Sequence, residues 1–206
     1  MKRTDLYLEP ILEKLCLEVS PYSLLDVGCG SNSPIHRFSE KIIETVGMDG
    51  FQPSIDQSQI KKIHKNYILG DVMKSLAATP SKSIDVVIAI DVIEHFEKNQ
   101  GWALLAELER VARKRVIIFT PNGFLAQGEY DENPHQLHRS GWEVSEFINK
   151  GYAVSGINGL KWIKGERAVP RFKPRWLANR LSDYTQFITY TRPTLAFQLL
   201  AHKDFN

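Results

Sequence analysis

Five short apolar runs, each separated from the next by a stretch with helical spacing, constrain this chain more than any other feature. They are LLDV at 24–27, TVGMD at 45–49, NYILGD at 66–71, IDVVIAI at 84–90 and VIIFT at 116–120. IDVVIAI is apolar and rich in β-branched residues, the pattern of a strand buried on both faces, and VIIFT reads the same way. Between the runs, Ile35, Phe38, Ile42 and Ile43 keep a helical period. A second helix is predicted from Pro53 to about Lys65, with proline in its first turn and Ile55, Gln59, Ile60 and Ile63 in period. A third runs from Trp102 to Arg113, with Leu104, Leu105, Leu108 and Val111 inward. This alternation predicts an α/β doubly wound parallel sheet.

The rest of the chain extends that plan. Leu8, Ile11, Leu12, Leu15 and Val19 mark a leading helix within residues 1–20 that stops before Pro21. Downstream, Trp142 to Lys150 reads as a short helix, Tyr152 to Ile157 as a sixth strand, Trp176 to Ile188 as a helix and Leu195 to His202 as a seventh strand. Residues 121–141 and 158–175 carry no regular pattern and are expected to be substrate-side loops. At 206 residues with 43% hydrophobic content, a single domain over residues 1–206 is expected.

Charge and cysteine content exclude several classes. Residues 158–206 hold nine Lys/Arg against three Asp/Glu, while residues 1–157 hold 17 against 21. The basic end suits an anionic small molecule or is a solvated face; the net charge of +2 argues against a groove for duplex nucleic acid. Cys16 and Cys29 make no disulfide framework. No run approaches the ~18 apolar residues of a membrane span, so a cytoplasmic protein is expected. Oligomeric state is not legible.

The chemistry begins at LLDVGCGSNS, residues 24–33. The Gly28-x-Gly30 turn lets the backbone approach a ligand, and a helix opening at Pro34 is expected to offer unpaired N–H groups. Asp49 and Asp71 close the second and third apolar runs and Asp91 follows the fourth, all on the edge where open α/β sheets bind ligands. Asp49 lies 19 residues after Gly30, close to the ~20 at which such folds place a carboxylate for ribose hydroxyls. Ser33, where a dinucleotide fingerprint needs glycine, counts against NAD.

With these residues in place, the chain resembles the class I S-adenosylmethionine-dependent methyltransferases over nearly its whole length. Asp26, Gly28 and Gly30 occupy the D-x-G-x-G places, and Asn32 stands where a third glycine is common. The resemblance implies a Rossmann-like seven-stranded sheet, mostly parallel with an antiparallel last strand and helices on both faces. It implies that the Gly28–Cys29–Gly30 turn cradles the methionine part of S-adenosyl-L-methionine. Asp49 and Gly50 would hold the ribose, Asp71 and Val72 the adenine, and Ile90 would lie in the IAIDVIEHF stretch, residues 88–96, that passes under the reacting methyl group.

The activity so implied is transfer of a methyl group to an oxygen or nitrogen of a small or medium-sized metabolite. Asp91, Glu94 and His95 stand at i, i+3 and i+4, one face if the segment is helical, and His135 and His138 follow in the long loop. Asp91, His95 and His138 are the candidate catalytic groups. The default reading holds no metal. The alternative is a divalent-metal site of Asp91, Glu94, His95 and His138, similar to those of ubiquinone-pathway and small-RNA 2′-O-methyltransferases, the latter sharing the TPN loop at 120–122. That alternative implies metal-assisted O-methylation of an RNA end or a catechol-like ring. A further alternative is a non-catalytic S-adenosylmethionine-binding module. Trp162, Arg171, Phe172, Arg175 and Trp176 suit an aromatic, anionic acceptor, or form a surface loop whose tryptophans pack on the sheet.

Overall fold

The computed structural model describes residues 3–128, 136–165 and 169–205. Seven strands are β1 (Ser23–Val27), β2 (Glu44–Asp49), β3 (Asn66–Leu69), β4 (Ile84–Ile90), β5 (Ala112–Pro121), β6 (Ala153–Leu160) and β7 (Ala196–Asp204). They form one sheet in the order β3-β2-β1-β4-β5-β7-β6. β1 to β5 pair in parallel, and β7 lies antiparallel to both β5 and β6. The order reverses between β1 and β4, which opens a crevice at their C-terminal ends.

Among the described residues six α-helices cover the two faces: α1 (Leu8–Leu17), α2 (Gln52–Ile60), α3 (Val72–Ala78), α4 (Lys98–Val111), α5 (Val144–Asn149) and α6 (Arg175–Thr191). One core joins Val87, Ala89 and Val116 to Leu104 and Leu108 of α4 and Phe147 of α5. The opposite core joins Leu24, Val86, Ile88 and Ile117 to Ile11, Leu12 and Leu15 of α1. A strand alternates its side chains between faces, so the two apolar sets of β4 feed different cores. Trp142, fully buried, fixes the start of the α5 region in the first core.

Four local expectations change. The 35–43 segment forms two 3₁₀ turns, Pro34–Arg37 and Ser39–Lys41, because Phe38 leaves helical backbone at φ −140°. Ile35 and Phe38, three apart, are buried by the tighter turn, and Ile43 is exposed. The second helix ends at Ile60: Lys62 turns left-handed at φ 55°, so Ile63 is buried from outside the helix and Ile60 faces solvent. Residues 91–95 are not an α-helix; Asp91 has φ 52° and only Ile93–His95 form a 3₁₀ turn, so Asp91, Glu94 and His95 do not share a helical face. Trp162 and Trp176 do not pack on the sheet; they are 58% and 64% exposed. Among the described residues, no helix is long and apolar enough to cross a membrane.

The edge of the sheet away from the crevice is clamped by Asp85, fully buried at the start of β4. Its Oδ2 accepts from the Tyr22 backbone N–H at 2.7 Å and its Oδ1 from Arg113 Nε at 2.6 Å, with Lys114 Nζ 3.4 Å away. Burial alone would raise this carboxyl's pKa, but the Tyr22 N–H, the Arg113 guanidinium and the Lys114 charge hold it below the ordinary range. A carboxyl depressed by folding stabilises above its unfolded pKa, and that contribution is lost as pH falls through the folded value. Asp85→Asn is therefore expected to cost about 1–3 kcal/mol in urea unfolding at pH 7, with the gap to wild type closing near pH 3. An equal gap at both pH values would remove the ionised clamp.

Candidate active site

Three acidic strand ends and one glycine turn surround a cleft of about 420 Å³, lined by Gly28, Asp49, Gly50, Asp71, Val72 and Asp91, with Phe96 and Arg139 opposite. Its size is that of a small-molecule site. The turn after β1 is held from below: Gly28 and Cys29 donate their N–H groups to the Met48 carbonyl at 2.7 and 3.0 Å. Gly30 donates to Asp49 Oδ2 at 2.8 Å, and Phe51 donates to Asp49 Oδ1 at 2.8 Å. The N–H groups of Gly28, Cys29 and Gly30 are thus used internally, and the turn contributes shape. Gly28 and Gly30 are left-handed, at φ 67° and 58°. A Cβ on Gly28 would lie 2.5 Å from Val92 Cγ2, whereas one on Gly30 would stand in open space. That space belongs to an adjoining recess of about 220 Å³ lined by Cys29, Gly30, Asn32 and Ile90. The cradle is therefore one that a side chain would fill.

Asp71 does two things at once. Its Oδ1 caps α3 by accepting from Lys74 N at 2.9 Å, and the residue still lines the cleft beside Val72. Asp26 behaves differently from the other acids. Its carboxylate is 1% exposed, and Oδ2 lies 3.0 Å from Nε2 of the buried His64. His64 in turn reaches Ser58 Oγ at 3.4 Å, packs edge-on against Tyr67 and donates its backbone N–H to the Tyr67 hydroxyl. Gly47 makes room for the ring, since a Cβ there would sit 2.8 Å from His64 Nδ1. Asp26 thus anchors the turn from the core. Cys29 is buried on the same side, and burial first, then the Asp26 and Asp49 charges, push its thiol upward, so it remains protonated and unreactive.

A second cavity of about 420 Å³ abuts the cleft and shares Asp91, His95 and Gln136 with it; its other walls include Glu94, Pro121, Leu125, His138 and Phe197. Loop and turn are tied together here: the Glu94 carbonyl accepts from Arg139 N at 2.8 Å and Ser140 N at 3.1 Å. This brings ligand atoms of Glu94, His95 and His138 within 4.8 Å of one another. His95 Nδ1 lies 3.2 Å from the Leu137 carbonyl, and His138 Nδ1 lies 2.6 Å from the Leu125 carbonyl. A carbonyl can only accept, so each Nδ1 carries hydrogen and each Nε2 is the basic nitrogen. Glu94 is 1% exposed; Oε2 accepts from Thr120 Oγ1 at 3.0 Å, and Oε1 has no hydrogen-bond partner among the described residues. Burial and then the Asp91 charge push the Glu94 carboxyl well above the carboxylate range.

Asp91 lies outside that trio but meets it through Glu94, and it opens on the cleft while walled by protein. Enclosure pushes its carboxyl up to about 7, opposed by hydrogen bonding with Glu94 and then with Gln198 Nε2 at 3.3 Å. Gln198 is itself oriented by Asn158 Nδ2, which donates to its Oε1 at 2.6 Å. His135 lies outside the described residues.

The sequence reading missed His64, Gln198, Gln136 and Arg139. No local motif marks Gln198, which arrives on an antiparallel strand 107 positions after Asp91. Thr120 and Asn122 sat inside the quoted TPN. Thr120 holds Glu94, and Asn122 Nδ2 donates to the carbonyls of Pro193, Thr194 and Ala196 at 3.1, 3.1 and 2.8 Å, fixing the start of β7 against β5.

Residues 25–120 match the family model described as a methyltransferase domain. The chain is 27% identical over 188 residues to a ubiquinone biosynthesis O-methyltransferase of Bartonella tribocorum, covering 84% of this chain and 67% of that one. Against two proteins of the same description from Rickettsia bellii and Rickettsia akari it spans 43% and 65% of their lengths. Among solved structures, a SAM dependent methyltransferase from Archaeoglobus fulgidus shares the fold at TM-score 0.61 and 16% identity, covering 96% of this chain and 94% of that one. The plantazolicin methyltransferase BpumL, solved in complex with SAH, does so at TM-score 0.57 and 20% identity, covering 99% and 84%. Sheet order, matched domain and a cleft at the β1/β4 reversal agree: residues 25–120 match a methyltransferase domain, and the fold is the one these S-adenosylmethionine-dependent methyltransferase structures share.

Proposed function

We propose that the chain transfers the methyl group of S-adenosylmethionine to an oxygen of a hydroxyl-bearing small molecule held in the second cavity. The observation that carries this is the junction: the cleft and the second cavity meet at Asp91 and His95. A donor in one and an acceptor in the other would face each other across those two residues. The curated relatives named as O-methyltransferases support oxygen rather than nitrogen. In this reading the Gly28–Gly30 turn with Cys29 and Ile90 receives the methionine part. Asp49 and Gly50 hold the ribose through the carboxylate lone pairs left after Gly30 and Phe51, and Asp71 with Val72 borders the adenine.

Methyl transfer from a sulfonium needs alignment and dryness more than acid–base help. Val92 and Phe96 exclude water from the cleft wall. Asp91, held by Gln198, is placed to accept the proton of the acceptor hydroxyl, and His95 and His138 present basic Nε2 atoms from the other side.

The donor set of the second cavity fits a divalent cation. An orphaned buried carboxylate oxygen and two imidazoles with Nδ1 tied to carbonyls are the features of metal ligands with their supporting hydrogen bonds already in place. Glu94, His95 and His138 would hold the ion, with Asp91 outside that trio. When bound, it supplies Lewis acidity that lowers the pKa of a coordinated hydroxyl.

Calorimetry with S-adenosylmethionine, followed by transfer of labelled methyl to a panel of phenols and catechols, tests the reading. Binding in the micromolar range and at least one O-methylated product are expected. No binding at millimolar cofactor would remove the enzyme reading, and product formation only on amines would remove the oxygen acceptor.

A further inference from the structure

Helix α6 is built inside out. Its buried positions are Ala178, Ser182, Gln186 and Thr189, small or polar. They are satisfied against β6: Ser182 Oγ donates to the Asn158 carbonyl at 2.7 Å, Gln186 Nε2 donates to the Gly156 carbonyl at 3.0 Å, and Gln186 Oε1 accepts from Gly159 N at 2.9 Å. Gly156 and Gly159 permit this close approach, since a Cβ on either would fall 2.2–2.3 Å from a carbonyl oxygen of α6. The outward arc, roughly 140° wide at 3.6 residues per turn, carries Trp176, Leu177, Leu181, Tyr184, Phe187 and Ile188, each 38–67% exposed. Arg180 is the charged residue within it.

The surroundings are aromatic and basic. Trp162, exposed in the loop after β6, stacks on Phe172 with ring centroids 6.4 Å apart. Lys161, Arg171, Lys173, Arg175 and Arg192 are exposed and make no ion pair among the described residues. Asp183, the acid of the helix, is placed to feel Lys164.

We propose that this face docks the protein on an anionic lipid bilayer, with the α6 aromatics and aliphatics at headgroup depth and the arginines on lipid phosphates. Charge complementarity selects this occupant. A two-fold contact between copies would press Arg180 and the flanking cations of one copy against those of the other across a drying apolar patch. A bilayer carrying negative headgroups accepts the apolar stripe and the cations together, as interfacial amphipathic helices do. Lys164, in the loop after β6 and within the field of Asp183, has its Nζ 5.9 Å from the ring centroid of Phe197, which lines the second cavity. Docking does not depend on the acceptor proposed above.

Co-sedimentation of the full chain with unilamellar vesicles at physiological salt provides the test. Partitioning to phosphatidylcholine vesicles containing about one-third phosphatidylglycerol should exceed that to pure phosphatidylcholine by about tenfold or more. The double variant Trp176→Ala/Phe187→Ala should lose about tenfold, and Arg180→Glu about fivefold or more. Calorimetry with S-adenosylmethionine should be unchanged in both, showing that they fold. No sedimentation with anionic vesicles would overturn the proposal, as would equal partitioning of wild type and double variant. Self-association of wild type that the double variant lacks would give the face to a second copy and equally overturn it.

Discussion

Asp49→Ala is expected to weaken S-adenosylmethionine binding by about 100-fold. Both carboxylate oxygens of Asp49 already accept a backbone N–H, from Gly30 on one side and Phe51 on the other. The side chain therefore ties the end of β2 to the glycine turn, and its remaining lone pairs open on the cleft. Removing it costs the proposed ribose contacts and frees the turn that cradles the rest of the ligand. Hydrogen bonds to charged groups contribute about 1.5–3 kcal/mol each, and losing roughly 3 kcal/mol corresponds to about 100-fold. Asp49→Asn should fall between, because one amide end must turn an N–H toward a backbone N–H. Calorimetry decides: an alanine variant that folds as wild type and binds within threefold would place the ribose elsewhere.

The parallel sheet was legible because its central strands are buried on both faces and so are written as uninterrupted apolar runs; IDVVIAI and VIIFT became β4 and β5. Helix ends were less legible, because they depend on single backbone choices. Lys62 at φ 55° ended α2, and Phe38 at φ −140° broke the 35–43 segment, and neither residue type announces such a conformation. The strand-end acids Asp49 and Asp71 stood where spacing placed them, since a strand's length fixes where its last residue emerges. Asp26 shared their motif but not their exposure: its partner His64 lies 38 positions away and carries no local signal.

The acceptor side was legible as a set of residue types and not as a geometry. An i, i+3, i+4 pattern suggested one helical face, yet Asp91 is left-handed and only Ile93–His95 form a 3₁₀ turn, so the three side chains are not ranged along an α-helix. His138 joins Glu94 and His95 through backbone bonds from residues 139 and 140 to the Glu94 carbonyl, an arrangement that depends on loop path alone. α6 shows the complementary failure. Trp176 was expected to suit an acceptor or to pack on the sheet, whereas Gly156 and Gly159 admit the polar face of the helix and turn its apolar face, Trp176 included, outward.

Removal of divalent metal carries the largest effect expected at the second cavity. Wild type should bind one manganese or zinc ion per chain, and His138→Ala should weaken that binding about 100-fold or more, in line with loss of a ligand rather than a supporting contact. Glu94→Gln should act similarly, because it replaces the orphaned carboxylate oxygen while keeping the Thr120 hydrogen bond. Asp91→Asn, outside the Glu94–His95–His138 trio, should leave metal affinity within about tenfold and lower turnover instead. Each variant leaves the backbone bonds from Arg139 and Ser140 to the Glu94 carbonyl in place, so S-adenosylmethionine binding should persist and separates metal loss from unfolding. Treatment with chelator should reduce methyl transfer by about 10³-fold or more if the ion activates the hydroxyl, since a bound cation lowers the pKa of a coordinated oxygen by several units. Unchanged turnover in chelator would reject the metal and leave proton transfer to Asp91, His95 and His138, with the geometry of the two abutting cavities unaltered.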